Sequence, residues 1–316
     1  MSQTAATEPE VQPKRPPAGR SFFVRLVREK PLGTVGGVIV LLMLFTAIFA
    51  DFLAPYPYDE IHIADRLHPP GDKYLLGADA LGRDVLSRIL YGARLSMYVG
   101  LGASAINVLF AAIVGIPSGY IGGKFDLIVQ RFVDALLSFP GLILLITVMS
   151  LVGVGVVQVI VVLGLLGGIA WIRVIRAAVI GIRENVYFEA ARAIGAPTLH
   201  LLWRHVIPNI MPVLVITFTI AVPGNILAEA TLSFLGVGIP PPHPSWGGML
   251  SWESRTYMYE APWLAVWPGV ALSIAVYGIS MWGDAVRDLI DPRLRGGVGR
   301  FDTGKRKRPR KEKTQV

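Results

Sequence analysis

Long uncharged apolar runs alternate with short charged segments along this chain, and the alternation predicts its elements. The first run, Leu32 to Ala50, carries no charge and is long enough for a helix to cross a hydrocarbon core of about 30 Å. A second uncharged run, Leu95 to Gly123, predicts a span over Met97 to Ile116. From Ala135 to Ile172 there is again no charge, and a single helix of that length would reach about 57 Å at 1.5 Å per residue. The run must fold back, with Gly153-Val154-Gly155 as the predicted turn between spans at Phe132 to Val152 and Val156 to Ile175. Further spans are expected at Ile210 to Ala230 and Leu264 to Gly283. Between these two, Leu232 to Trp252 is uncharged but holds Pro240, Pro241, Pro242 and Pro244, which leave backbone acceptors without helical partners, so it is not counted as a span. The expected fold class is an all-α polytopic membrane protein with six transmembrane helices.

The polar segments differ in kind. Residues 1–20, rich in Pro, Gln, Thr, Lys and Arg, are expected to be a disordered tail. SFFVRLVREK, residues 21–30, sets Phe22, Phe23, Leu26 and Val27 against Arg25, Arg28 and Lys30, which predicts a short amphipathic helix lying on the membrane. Residues 51–94 form a long polar connection, its second half read as a loop followed by a short surface helix on which Leu81, Val85, Leu86 and Ile89 share a face.

The most informative segment is EAARAIGAPTLHLLWRHVIPN, from Glu189 to Asn209. It lies between spans yet carries Glu189, Arg192, Arg204, His200 and His205, and one charge at the bilayer centre costs at least about 2.5 kcal/mol. An exposed loop is therefore required. Val186, Ala190 and Ala193 follow a one-face helical spacing before Gly195; Leu199, Leu202, Trp203 and Val206 follow another after it. Gly195 is a natural helix stop, Pro197 fits the first turn of a new helix, and Pro208 precedes the next apolar run. The predicted unit is a helix, a tight turn and a helix at the membrane surface.

Composition sharpens this picture. A mean hydropathy of +0.54, with 53% apolar and only 16% charged residues, identifies a membrane protein rather than a two-domain soluble one. The net charge of +8 is unevenly placed: 24 of the 30 Lys and Arg fall in residues 1–31, 117–131, 173–209 and 284–316, and 6 in 51–94 and 237–263. Positive residues collect in the cytoplasm, which puts both termini and the Glu189 loop inside. The C-terminal KRKRPRKEK reads as a positive anchor beside membrane lipid rather than a nucleic-acid site. With no cysteine, disulfides and thiolate chemistry are excluded, and the five histidines have no metal-ligand spacing, so no metal site is expected. GxxxxGK[ST] is absent and no nucleophile constellation appears, so neither nucleotide hydrolysis nor other catalysis is expected of this chain.

Glu189-Ala190-Ala191, then Gly195, then Ile207-Pro208 resembles the EAA loop of ABC-importer permeases. His205 stands where that pattern usually has Ile, and Ile207 where it usually has Leu; the ending from Arg204 to Asn209 is similar to the peptide and nickel branch. Two further stretches carry the same likeness, Leu76 to Arg94 and Leu232 to Gly238 with the prolines and Ser245-Trp246-Gly247, so that it covers residues 20–295. The resemblance implies the ABC-importer permease (MetI-like) fold and the second permease subunit of a dipeptide, oligopeptide or nickel importer. It implies a coupling helix built on Glu189, Ala190, Ala191, Gly195, Leu199, Ile207 and Pro208. It also implies a longer homologous permease as heterodimer partner, two cytoplasmic ABC ATPases that bind ATP and Mg, and an extracytoplasmic solute-binding protein, all at a bacterial-type inner membrane. Di- and oligopeptides are the expected cargo, with nickel or glutathione as alternatives. The implied organisation is a segment 21–75 with the first span, a five-helix core 76–292 containing the coupling loop 183–209, and a basic tail 293–316.

An ion-coupled secondary transporter is the competing class, but it wants repeated halves and buried ionisable groups, and no internal repeat is found. Asn225 and Glu229 are the candidate pathway residues. Pro223-Gly224-Asn225 is expected to break the fifth span, and Glu229 near its outer end either meets a peptide amino group or snorkels or pairs within the bundle. Arg83 and Arg88 read as part of a solvated basic surface helix, and Asp134 as a helix-start cap.

Overall fold

The computed structural model describes residues 22–290. Its helices are α1 (Phe22–Glu29), α2 (Pro31–Leu53), α3 (Val85–Ile121), α4 (Gly123–Leu137), α5 (Gly141–Val152), α6 (Val156–Arg183), α7 (Val186–Ala193), α8 (Thr198–Leu201), α9 (Ile207–Phe234), α10 (Trp246–Met249), α11 (Trp252–Thr256) and α12 (Trp263–Ile290); a π-turn covers Leu202–Val206. Five of the helical stretches are long and apolar enough to cross a membrane, and the α4–α5 pair adds a sixth if the bent pair is one span.

Small residues let the spans approach closely, as expected where lipid offers no hydrophobic drive between helices. A Cβ on Gly115 or Gly119 of α3 would stand 2.9 Å from the Ile172 carbonyl oxygen or 2.7 Å from that of Arg176 on α6. Gly36 of α2 meets the Gly278 backbone of α12 in the same way. On the other side of α3, α9 packs Ile226 against Gly100.

Several expectations change. The surface helix before the second span is not separate: α3 runs unbroken from Val85, capped by the Asp84 carboxylate, which accepts the Ser87 N–H at 2.8 Å. The third span is bent by 91° between Leu137 and Gly141, because Pro140 has no N–H to continue the helix. Its second half, α5, is only 12 residues, about 18 Å long. Asp134 is therefore no helix-start cap; it lies in the last turn of α4, paired with Arg173 of α6. Arg83 and Arg88 are not solvated either. Both are buried, Arg83 Nε donating to Asp79 at 2.6 Å and Arg88 reaching the Tyr58 carbonyl at 3.0 Å. An i,i+4 pair looks solvated in sequence until the connection folds over it.

The fifth span is not broken at Pro223-Gly224-Asn225, since α9 continues through Pro212 and Pro223. Buried prolines are tolerated where neighbouring groups take up the freed carbonyls. The proline-rich stretch after α9 forms turns and the short α10, not a span. It packs on α3, Trp246 Nε1 donating to the Ile89 carbonyl at 3.1 Å, and on the 54–84 connection, where the His243 and Tyr58 rings stack with centroids 6.2 Å apart; Trp263 Nε1 of α12 donates to the Ala78 carbonyl at 3.2 Å. At the other end, α1 is pinned to the protein as well as amphipathic: Leu26 is buried with Ala285 and Leu289, and Lys30 pairs with Asp288. The expected tails 1–20 and 293–316 lie outside the described residues.

Candidate functional site

The Glu189 loop is mounted on a rigid base. Arg176 of α6 grips Asp126 of α4 through two bonds of 2.5 Å, and Ser118 of α3 donates to the same carboxylate at 2.5 Å. Arg183, the last residue of α6, donates to the Tyr120 carbonyl at 3.0 Å. Planar guanidinium forks of this kind fix geometry as well as charge. Three helices are thereby tied together just before the chain turns into α7.

Within the loop, apolar side chains divide into two sets. Phe188, 2% exposed, points inward against Tyr120 with ring centroids 6.2 Å apart, and joins Ile175, Val179, Leu201, Val206 and Ile210 in one buried cluster. The other set faces out: Val186 is 82% exposed, Ile194 86%, Leu199 67% and Trp203 65%. The one-face spacings read in the sequence therefore describe largely the exposed surface before Gly195, with Val186, Ala190 and Ala193 all outward, whereas the anchor is Phe188, which those spacings pass over.

The turn follows from Gly195. Its φ is +81°, and the Gly195 N–H bonds to the Arg192 carbonyl at 3.0 Å while the Ala196 N–H reaches that of Ala191 at 3.3 Å. These two bonds make a Schellman ending. A Cβ at Gly195 would meet no atom within 4 Å, so the left-handed backbone, not space, is what demands glycine.

The second arm departs from the expected separate helix. After α8 the chain passes through the π-turn, in which the Ile207 N–H bonds to the Leu202 carbonyl, and continues into α9 without leaving helical conformation. Pro208 has no N–H for the Arg204 carbonyl and its ring would crowd it; the wider turn relieves both problems. Asn209 Nδ2 then donates to the His205 carbonyl at 2.6 Å. Of the sequence candidates, Glu189, Ala190, Gly195, Leu199 and Pro208 are exposed, and Ala191 and Ile207 half-buried.

Asn225 and Glu229 sit far from this loop on the same helix. Asn225 is buried, donates to Ser104 Oγ at 2.9 Å and borders a cavity of about 300 Å³ between the α4–α5 bend, α6 and α9. Glu229 has no exposed surface; its Oε1 accepts the Ser233 hydroxyl at 2.7 Å and its Oε2 has no hydrogen-bond partner. Ser233 Oγ in turn accepts the Ile239 N–H at 3.1 Å, which fastens the proline-rich turn to the end of α9. In this conformation the carboxyl is thus paired inside the bundle.

Residues 108–296 match the family model of the binding-protein-dependent transport system inner membrane component, and residues 20–70 that of the N-terminal TM domain of oligopeptide transport permease C. A putative peptide transport system permease protein of Brucella suis is 36% identical over 284 residues, 89% of this chain and 95% of the relative. The glutathione transport system permease protein GsiD of Pectobacterium atrosepticum is 35% identical over 277 residues, 87% of this chain and 91% of the relative. Among solved structures, an inward-facing MetNI methionine ABC transporter is similar at 22% identity and a TM-score of 0.48, covering 62% of this chain and 94% of that one.

Proposed function

The chain belongs to the family of binding-protein-dependent transport system inner membrane components, and from that premise we propose that it is one of two homologous permeases in an importer of small peptides. As a permease subunit of an ABC importer it is a non-catalytic membrane component. ATP and Mg belong to two cytoplasmic ATPase subunits, cargo arrives on an extracytoplasmic solute-binding protein, and both termini lie in the cytoplasm. The charge distribution supports that orientation.

One observation carries the reading: a loop with four large apolar side chains facing out, on a base locked by Asp126, Arg176 and Phe188. Such a patch beside a membrane marks a surface that another chain covers. Closure of the ATPase dimer would move the loop, and the fixed base would pass that motion to α6 and α9. Asn225 and Glu229 are proposed to act on the pathway side, Asn225 at the cavity wall and Glu229 once the outer turn opens.

Peptides are the proposed cargo because the relatives are named for peptides and for glutathione, itself a small peptide. The test is ATPase activity of the reconstituted complex with its binding protein, challenged separately with peptide pools, glutathione and nickel. Stimulation by peptides or glutathione is expected. A response to nickel alone would overturn the cargo, and no coupling to any ATPase would overturn the whole reading.

A further inference from the structure

We propose that Trp203 is the principal anchor of the ATPase docking surface, filling an apolar pocket on the cytoplasmic subunit that lies beyond the reach of the Glu189-Ala190-Ala191 arm. This rests on the docking reading above and names which side chain carries it. In a continuous α-helix, Leu199, Trp203, Val206 and Ile210 would recur on one stripe and turn inward together. Here Val206 and Ile210 have no exposed surface, whereas Leu199 and Trp203 stand mostly in the open. The π-turn at Leu202–Val206 holds both Trp203 and Val206, so the change of face falls within it. One wide turn changes the angular register along the helix, so that Val206 and Ile210 join Leu201 in the bundle while Leu199 and Trp203 face away from it.

The indole belongs to one surface with the rest of the loop. Tyr187 at the start of α7 lies 6.1 Å from the His205 ring, and His205 lies 6.1 Å from that of His200, so the first arm is tied to the π-turn that carries Trp203. Trp203 is also the largest exposed side chain of the loop, next to the exposed Arg204. Tryptophan beside arginine is the composition that dominates binding energy in protein interfaces, typically in a desolvated pocket with a complementary charge at its edge. The glutamate and alanines of the first arm offer little area by comparison.

An interfacial tryptophan dipping into lipid headgroups is the competing occupant. The test uses the full permease pair in nanodiscs and titrates the ATPase subunits. Trp203→Ala should weaken ATPase binding about thirtyfold, the factor for a hot-spot tryptophan, while Trp203→Phe stays within a few-fold of wild type. In parallel, discs with brominated lipid report the Trp203 signal as the difference between wild type and Trp203→Phe, since the chain has seven tryptophans. That difference should be unquenched with ATPase bound. Wild-type affinity in Trp203→Ala, with Leu199→Asp weakened, would overturn the anchor and leave the docking reading standing. Unchanged affinity in both would overturn docking at this loop, and strong quenching by brominated lipid would assign Trp203 to the membrane.

Discussion

The two ends of the helical rod formed by α8, the π-turn and α9 are finished in opposite ways. At the Glu189 loop end, large apolar side chains stand in the open beside a turn closed by backbone bonds. At the other end, polar side chains are buried and linked: Glu229 Oε1 accepts Ser233, Ser233 accepts the Ile239 N–H, and a Cβ on Gly247 would stand 2.0 Å from the Ala230 carbonyl oxygen. The Phe234 end is closed by this chain's own proline-rich turn, while the Thr198 end presents exposed apolar side chains. The rod between them, from Thr198 to Phe234, spans about 55 Å at 1.5 Å per residue. A displacement at the Glu189 loop would therefore have a continuous helical path to the turn after α9.

The contrast between the two ends breaks first at the loop's anchor. Phe188→Ala removes the side chain that seats the loop, and truncating a buried phenylalanine typically costs about 3 to 5 kcal/mol. The loop should lose its seat while the spans persist, seen as early proteolysis between α6 and α9 with the protein still in the membrane. Unaltered proteolysis would mean that Phe188 does not hold the loop.

Next in size is Gly195→Asp. Its cost is the left-handed backbone, about 1 to 2 kcal/mol for a residue with a Cβ, and it falls on the turn angle rather than on the bundle. The variant should reach the membrane in normal amount yet fail to retain ATPase subunits. Normal ATPase association would refute the placement of the docking surface. At the outer end, Glu229→Gln keeps the shape and removes the charge, so uptake should fall several-fold while ATPase association stays intact. Unchanged uptake would leave Glu229 as a packing group only.

The smallest effects belong to the outer connection. Lys73 donates to Asp65 at 2.6 Å and, ahead of Tyr74, holds that carboxyl below its ordinary 3.8. Burial, with the bond to Asp65, pushes the Tyr74 hydroxyl up to about 12. A depressed acid contributes stability that is present above its ordinary value and lost as pH falls through the lower folded value. A raised phenol contributes stability present below its ordinary 10 and lost as pH climbs from there towards about 12. The connection should therefore show no pH response from this pair between about 5 and 9. A spectrophotometric tyrosine titration in which every phenol ionised near 10 would contradict it.

The apolar runs announced the spans because lipid imposes a length and a charge rule on every crossing segment. The turn at Gly153–Gly155 and the helix stop at Gly195 were legible for a related reason: each needs a positive φ that glycine meets without strain. The hidden features depended on tertiary contact. The bend before Gly141 had its signal in Pro140, yet the proline was absorbed into one long apolar run. Arg83 and Arg88 gave no hint of burial, because the local Asp79–Arg83 pair is covered, and Arg88 meets the Tyr58 carbonyl 30 residues away, only when the connection folds over α3. Pro208 marked only the start of the next apolar run, and the π-turn that carries the helix into it has no sequence signal of its own. Phe188 adjoins the Glu189 motif but falls outside its helical spacing, so only the structure separates the anchor from the face it presents.

The most direct measurement uses the absence of native cysteine. Leu199→Cys in the full complex, treated with a short thiol cross-linker in intact membranes, should give a cross-link to an ATPase subunit whose yield changes with nucleotide. Labelling of the same cysteine by an impermeant maleimide from the extracytoplasmic side, or no cross-link to the ATPase in any nucleotide state, would contradict the assignment of this loop.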